Sequence, residues 1–340
     1  ELQRVRDAVY AQKVSEQANG EMAWEIFARK QKTKRKLRVL GSYATAAIVT
    51  ILIGFGFLLA LKQESVQELN PSNTTQTSIH SKNIVLTLSD GREIVLSDSV
   101  NDLQEQNGAT IRNKAQQLVY FPTTTNNQEV YNTIKIPRGS EYQLLLADGT
   151  TVWLNSESEI TFPVTFTGEK REVRLKGEAF FDVVKNPDCP FRVIANDLQI
   201  EVVGTSFNVN TYKKNVIETS LLTGRIKISG GSLPQEYVLT PGKKATYSSI
   251  DKTLKITKAD AHVITGWCDD YLIFDSEPLI DVIEEIERWY GVKIELRCPQ
   301  IGQDLLSGSF RHESIQNVIH SLSLQYKFRY EIHKDKITIY

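Results

Sequence analysis

The sequence predicts a multidomain membrane protein: an N-terminal helical segment, one transmembrane helix, an all-β domain of sandwich or solenoid type, and a C-terminal α+β domain. Three observations predict it. An uncharged apolar run, VLGSYATAAIVTILIGFGFLLAL, fills 39–61. From Ile84 to about residue 265 apolar and polar residues alternate, with turn residues recurring roughly every ten positions. After Gly266 the period lengthens to that of a helix, and does so twice.

Residues 1–38 read as helix, with Val5, Val9, Ala23, Trp24, Ile26 and Phe27 as the apolar positions and a break at Asn19-Gly20. Trp24 and Phe27, three apart, share one face and are the candidate partner-binding residues. The chain opens on Glu1, so we expect this part to be truncated. Run 39–61 follows. At about 1.5 Å per residue it spans roughly 34 Å as a helix, enough for a hydrocarbon core of about 30 Å. It is too long for the apolar core of a signal peptide and has no polar face to sit on a protein core. Lys30, Lys32, Lys34, Arg35, Lys36 and Arg38 crowd its N-terminal side. Positive charge stays in the cytoplasm, so the expected topology is single-pass in the inner membrane, with a cytoplasmic N-terminus and an exported C-terminus.

Charge supports that division. Residues 1–38 hold ten Lys or Arg against five Asp or Glu, while the whole chain carries −1. The exported part is therefore acidic, which argues against direct nucleic-acid binding there. Residues 62–83, rich in Asn, Ser and Thr with Pro71, read as a linker.

The β region, 84–265, opens with a hairpin: IVLTL, a turn at Asp90-Gly91, then EIVLS. The pattern returns at YQLLLADGTTVWLNS, with Asp148-Gly149 in the turn. Residues 99–130 between them are less regular. The region 266–340 holds a strand YLIF, a helix opening at Pro278-Leu279 and closing at Gly291, then a second such unit. Phe274 to Ile283 align on Phe310 to Ile319 at a constant offset, which predicts two βαβ-like halves.

Classical catalysis has no support. HExxH, GxSxG, P-loop, GxGxxG and metal-type CxxC patterns are absent. Cys189, Cys268 and Cys298 make no disulfide framework, and His312, His320 and His333 need not converge on a metal. Glu157 and Glu159 have the spacing of a carboxylate pair but read better as a solvated strand face. No cofactor is called for. One dipeptide has chemical interest: Gly204-Thr205, in a turn between strands. The Thr205 hydroxyl could attack the Gly204 carbonyl, turning the amide into an ester that water hydrolyses. From chemistry alone an ordinary turn is the better reading.

The segments LADGTTVWLNSESEITFP, REVRLKGEAFFDVVKNPDCPFRV, VVGTSFNVNTY, LLTGRIKI and LTPGKKATY carry a resemblance. Over about 84–265 the chain resembles FecR-type anti-sigma factors, and 266–340 resembles the secretin/TonB short N-terminal-like module that ends one branch of that family. One departure lies at Trp267-Cys268-Asp269-Asp270, which keeps the family's tryptophan but not the glycine after it. The resemblance implies a protein that holds an extracytoplasmic-function sigma factor through its cytoplasmic helices, here through Trp24 and Phe27. It implies a periplasmic signal from the N-terminal signalling domain of a TonB-dependent outer-membrane transducer. It implies release by stepwise proteolysis through membrane proteases. It also implies self-cleavage between Gly204 and Thr205, the halves staying joined through the β-sheet. An envelope scaffold with a secretin-like module is the competing reading.

Overall fold

A computed structural model describes residues 83–96, 101–104, 109–114, 117–121, 130–311 and 313–340. The helical segment 1–38 with Trp24 and Phe27, the run 39–61, the linker short of residue 83, and His312 lie outside the described residues. Residues 82–340 form one compact unit.

The predicted membrane fold is corrected. The described residues are mostly β-sheet, and no helix among them is long and apolar enough to cross a membrane. The longest have 12 residues, about 18 Å, and each buries only one stripe of its surface.

β1 (Ile84–Thr87) and β2 (Glu93–Leu96) form the predicted hairpin. Gly91 takes φ +84, which only glycine adopts freely, and its amide donates to the Leu88 carbonyl at 2.9 Å. β3 (Asn101–Gln104), β4 (Thr110–Lys114) and β5 (Gln117–Phe121) occupy the stretch that looked irregular. β6 (Tyr131–Lys135) leads to the second Asp-Gly hairpin, β7 (Tyr142–Leu145) with β8 (Thr151–Leu154). Its turn repeats the first: Gly149 at φ +85 donates to the Leu146 carbonyl at 3.0 Å. β9 (Glu159–Pro163), β10 (Arg171–Lys176), β11 (Glu178–Asp182), β12 (Phe191–Ala195), β13 (Leu198–Val202) and β14 (Ser206–Asn210) follow. β15 (Val216–Thr223), β16 (Ile226–Gly230), β17 (Tyr237–Leu239), β18 (Lys243–Ser248) and β19 (Thr253–Lys258) complete the domain.

These strands make two sheets. One runs β17-β16-β13-β12-β10-β9-β6-β1-β2, the other β19-β18-β15-β14-β11-β8-β7-β5-β4-β3. The chain adds one to three strands to one sheet and then crosses to the other, so both sheets lengthen along one axis. Sandwich and solenoid are thus both apt. One apolar core joins the inner faces. Phe181 and Phe207 stack at 5.1 Å within the second sheet, and Phe191 of the first meets Phe181 at 6.1 Å.

α1 (Ala261–Thr265) and a 3-10 turn at Gly266–Asp269 lead to the C-terminal domain. It contains β20 (Tyr271–Pro278), α2 (Leu279–Tyr290), β21 (Lys293–Leu296), β22 (Leu305–Arg311), α3 (Ile315–Tyr326), β23 (Tyr330–His333) and β24 (Lys336–Ile339). α2 begins after Pro278 and ends at Gly291 in the left-handed region, as the sequence predicts. The two halves are repeats but not βαβ units. Their first strands, β20 and β22, pair antiparallel about Ile273 and Ser309, equivalent positions of the repeat. Their second strands, β21 and β23, flank β24 in another sheet. Each helix therefore crosses between sheets. The separate core of this domain is built from Leu279, Val282, Ile283 and Ile286 of α2 with Val318, Ile319 and Leu322 of α3.

Candidate functional site

Gly204 and Thr205 form the turn from β13 in the first sheet to β14 in the second. Thr205 is buried, 3% exposed, while Gly204 is half-buried and Val203 before it is exposed. Gly204 lies on the backbone of Lys185: a Cβ there would stand 2.7 Å from the Lys185 Cα. A second glycine, Gly224, closes the other side at φ +86, and a Cβ on it would stand 2.7 Å from Thr205 Oγ1 and 2.8 Å from the Gly204 carbonyl oxygen. The hydroxyl and the carbonyl it would attack therefore share one tight space that admits no side chain. Both glycines are required by close approach, and Gly224 also by its backbone angle.

The Thr205 hydroxyl donates to the Arg225 carbonyl at 3.2 Å, and the Thr205 carbonyl accepts from the Val183 amide at 3.0 Å. A backbone carbonyl orients a hydroxyl but does not take its proton. The nearby carboxylate, Asp182, accepts instead from Ser206 Oγ at 2.9 Å, and Ser206 Oγ accepts from Thr223 Oγ1 at 3.0 Å. Burial pushes the Asp182 carboxyl up. The register of β14 against β15 shifts between Ser206 and Phe207, a bulge one residue beyond Thr205. The turn thus sets the Thr205 hydroxyl and the Gly204 carbonyl side by side, with the nearest carboxylate, Asp182, committed to Ser206.

The other sequence candidates scatter. Glu157 pairs with Arg138 at 2.9 Å and Glu159 with Lys176 at 3.4 Å, so the two carboxylates serve separate ion pairs. His320 lies 3.5 Å from the Tyr330 hydroxyl and His333 3.7 Å from Glu331. Among the described residues no cluster could hold a metal, and all three cysteines are free.

A second polar centre escaped the sequence reading. Glu178, in the GEAFFDV strand, accepts from Asn155 Nδ2 and Asn208 Nδ2, each at 2.8 Å, linking β11 to β14 and to the residue that follows β8. Burial pushes its carboxyl up while these bonds pull it down. Beyond Asn208 the same strand leads to Tyr212, whose ring lies 4.2 Å from the Arg288 guanidinium carbon of α2. Gly139 donates to the Arg288 carbonyl at 2.8 Å, and Lys213 Nζ meets Asp281 at 2.6 Å. This is the junction of the two domains. The sequence signal was the glutamate of GEAFFDV, one of two acidic residues that bracket an apolar stretch.

Comparison with known proteins bears on both centres. A model of the FecR protein family matches residues 132–227, and a model of the FecR C-terminal domain matches 271–339. The chain thus carries a FecR domain and a FecR C-terminal domain. The first match contains Glu178 and Gly204-Thr205, and the second contains α2. Two solved structures of a candidate anti-sigma factor from Parabacteroides distasonis resemble this chain. One, at 28% identity, covers 61% of this chain and 98% of its own with a TM-score of 0.57. The other, at 27% identity, covers 62% and 99% with a TM-score of 0.58. No curated protein matches. The resemblance read from the sequence, to FecR-type anti-sigma factors, is borne out.

Proposed function

We propose that this protein is an anti-sigma factor that holds an extracytoplasmic-function sigma factor through residues 1–38, with Trp24 and Phe27 as contacts. Its folded part, 84–340, sits in the periplasm and receives a signal from the N-terminal signalling domain of a TonB-dependent outer-membrane transducer. Stepwise proteolysis then frees the sigma factor. The observation that supports this reading is the occurrence, in order and in one compact unit, of the FecR domain and the FecR C-terminal domain. Likeness to the Parabacteroides distasonis structures adds to it. Co-purification tests it: the full chain should retain a sigma factor and the Trp24→Ala/Phe27→Ala variant should lose it. Intact wild-type protein that retains none would overturn the reading.

The same reading includes self-cleavage at Gly204-Thr205, supported by the hydroxyl and carbonyl held over Gly224. On a denaturing gel the wild-type chain should run partly as two fragments. Thr205→Ala should give one band and Thr205→Ser should keep two. A single band from the wild type removes self-cleavage and leaves the sigma-binding proposal standing.

A further inference from the structure

The two domains keep separate apolar cores. One ends with Leu254, and the other begins at Leu272. Ile264, Trp267 and Cys268 are buried in the connection, and the contacts beyond it are largely polar. The Tyr212 hydroxyl is bound by the Ser156 carbonyl, and Arg288 lies over its ring. Lys213 pairs with Asp281. Arg138 donates to the Val292 carbonyl at 3.4 Å and stands 3.6 Å from Glu287. Between the domains lies a cavity of about 270 Å³, lined among others by Tyr212, Lys213, Glu277, Asp281, Glu285 and Arg288.

Docking also carries costs. Trp267, 6% exposed in the connection, has an indole N–H with no hydrogen-bond partner among the described residues. A buried donor left unmade is an expense that water would relieve on opening. Glu285 of α2 faces Glu178 of β11 and Glu277 of β20, offset by Arg288 on its own helix and by Lys213 beyond β14. Of these, Glu178 confronts Glu285 across the junction and Glu277 from within its own domain. An interface of a few ion pairs, hydrogen bonds and one cation–π contact beside the short buried stretch Ile264–Cys268, laden with an unmet donor and opposed carboxyls, separates more easily than either core unfolds.

We propose that this junction is a releasable latch: the C-terminal domain exists docked on the second sheet and undocked from it, pivoting within the connection 259–270. The Arg288–Tyr212 and Lys213–Asp281 contacts close it. The carboxyl of Glu285 opposes closure when ionised. Burial and the neighbouring Glu178 and Glu277 push that carboxyl up to about 8, so the docked state holds it protonated at neutral pH and weakens as pH rises through that value.

The protein carries its own reporter. Cys268, in the connection, is buried, and its thiol is pushed well up by burial and by Glu141 and Glu178 of the β domain. Cys298 is buried in the C-terminal core, and Cys189 is partly exposed on the β domain. Iodoacetamide labelling of the full chain, followed residue by residue by mass spectrometry at pH 8, reads opening at Cys268 alone. Arg288→Ala should speed labelling of Cys268 about tenfold, the equivalent of about 1.4 kcal/mol, with Cys298 unchanged. Glu285→Gln, which cannot ionise, should slow Cys268 relative to the wild type at that same pH. Cys268 and Cys298 reacting in step, in wild type and variant alike, would mean that only global unfolding exposes the connection and would overturn the latch. An unaltered rate in Glu285→Gln would overturn the role of its proton.

Discussion

Asp148 sits in the turn of the second hairpin and accepts from the Thr150 amide at 3.0 Å and the Thr150 hydroxyl at 2.7 Å. Its other partner is Arg171 Nη1 of β10, at 2.6 Å. The Arg171 side chain is 3% exposed and also donates to the carbonyls of Val184 and Cys189, with the Phe191 ring 5.5 Å from its guanidinium carbon. Its Nη2 has no partner among the described residues. Removing the carboxylate therefore strands a buried cation, and Asp148→Ala should cost about 3–5 kcal/mol. For a unit of this size that lowers the melting temperature by about 6–20 °C. Arg171→Met alone loses the donors and leaves the Asp148 carboxylate, whose side chain is 13% exposed, held by its two Thr150 bonds. The double variant should then be more stable than Asp148→Ala, because the uncompensated cation is gone. Differential scanning calorimetry of the four proteins closes the cycle. A cost below about 1 kcal/mol for Asp148→Ala, or a double variant no better than that single one, would refute the reasoning.

Three further outcomes follow from the same structure. Cleavage at Gly204-Thr205 should leave the fragments bound, because β11 pairs with β14 and β13 with β16 across the cut and Phe181 stacks on Phe207; gel filtration should show one species that separates only in concentrated guanidinium. Glu285 and Glu277, both pushed up by burial, contribute stability that is fully present below about 4.5 and lost as pH rises through about 8 for Glu285. Urea midpoints of the wild type should accordingly fall between pH 5 and pH 8, and Glu285→Gln should flatten the slope. Deleting 266–340 should abolish transducer binding while the β domain keeps its circular-dichroism melt, since its core lies wholly within 84–254; loss of that melt would show the cores to be interdependent.

Local rules made much of this legible. Asp90-Gly91 and Asp148-Gly149 announced two hairpins because their turns need a positive φ. Alternation exposed the strands, and the spacing of Leu279, Val282, Ile283 and Ile286 exposed α2. Alternation is the same whichever sheet a strand joins, so the parallel pairings of β5 with β7 and β10 with β12 left no local trace. Gln117 to Phe121 sat among Asn- and Thr-rich residues that mask a strand. The offset repeat was visible, but its division between two sheets is a tertiary choice. Tyr212 and Arg288, far apart in sequence, look like ordinary surface residues until the domains meet. Gly224 gave no sign of its place beside Thr205.

The candidate cut and the junction are the two ends of one strand. β14 begins directly after Thr205 and ends two residues before Tyr212, and its five residues span roughly 17 Å. All but the last are buried, and β11 and β15 pair with it on either side. A slip of one residue would turn Phe207 and Val209 out of the core, so β14 cannot shift along its axis at any cost the junction could meet. The bulge at Ser206 also fixes its register on the side of the cut. Opening the junction should therefore stop at Tyr212 and leave the Gly204-Thr205 turn as it is. Arg288→Ala should cleave to the same extent as the wild type, and Thr205→Ala should label at Cys268 at the wild-type rate. If Arg288→Ala alters the ratio of cut to uncut chain, β14 moves as a piston rather than standing as a fixed bar, and the two ends report on each other.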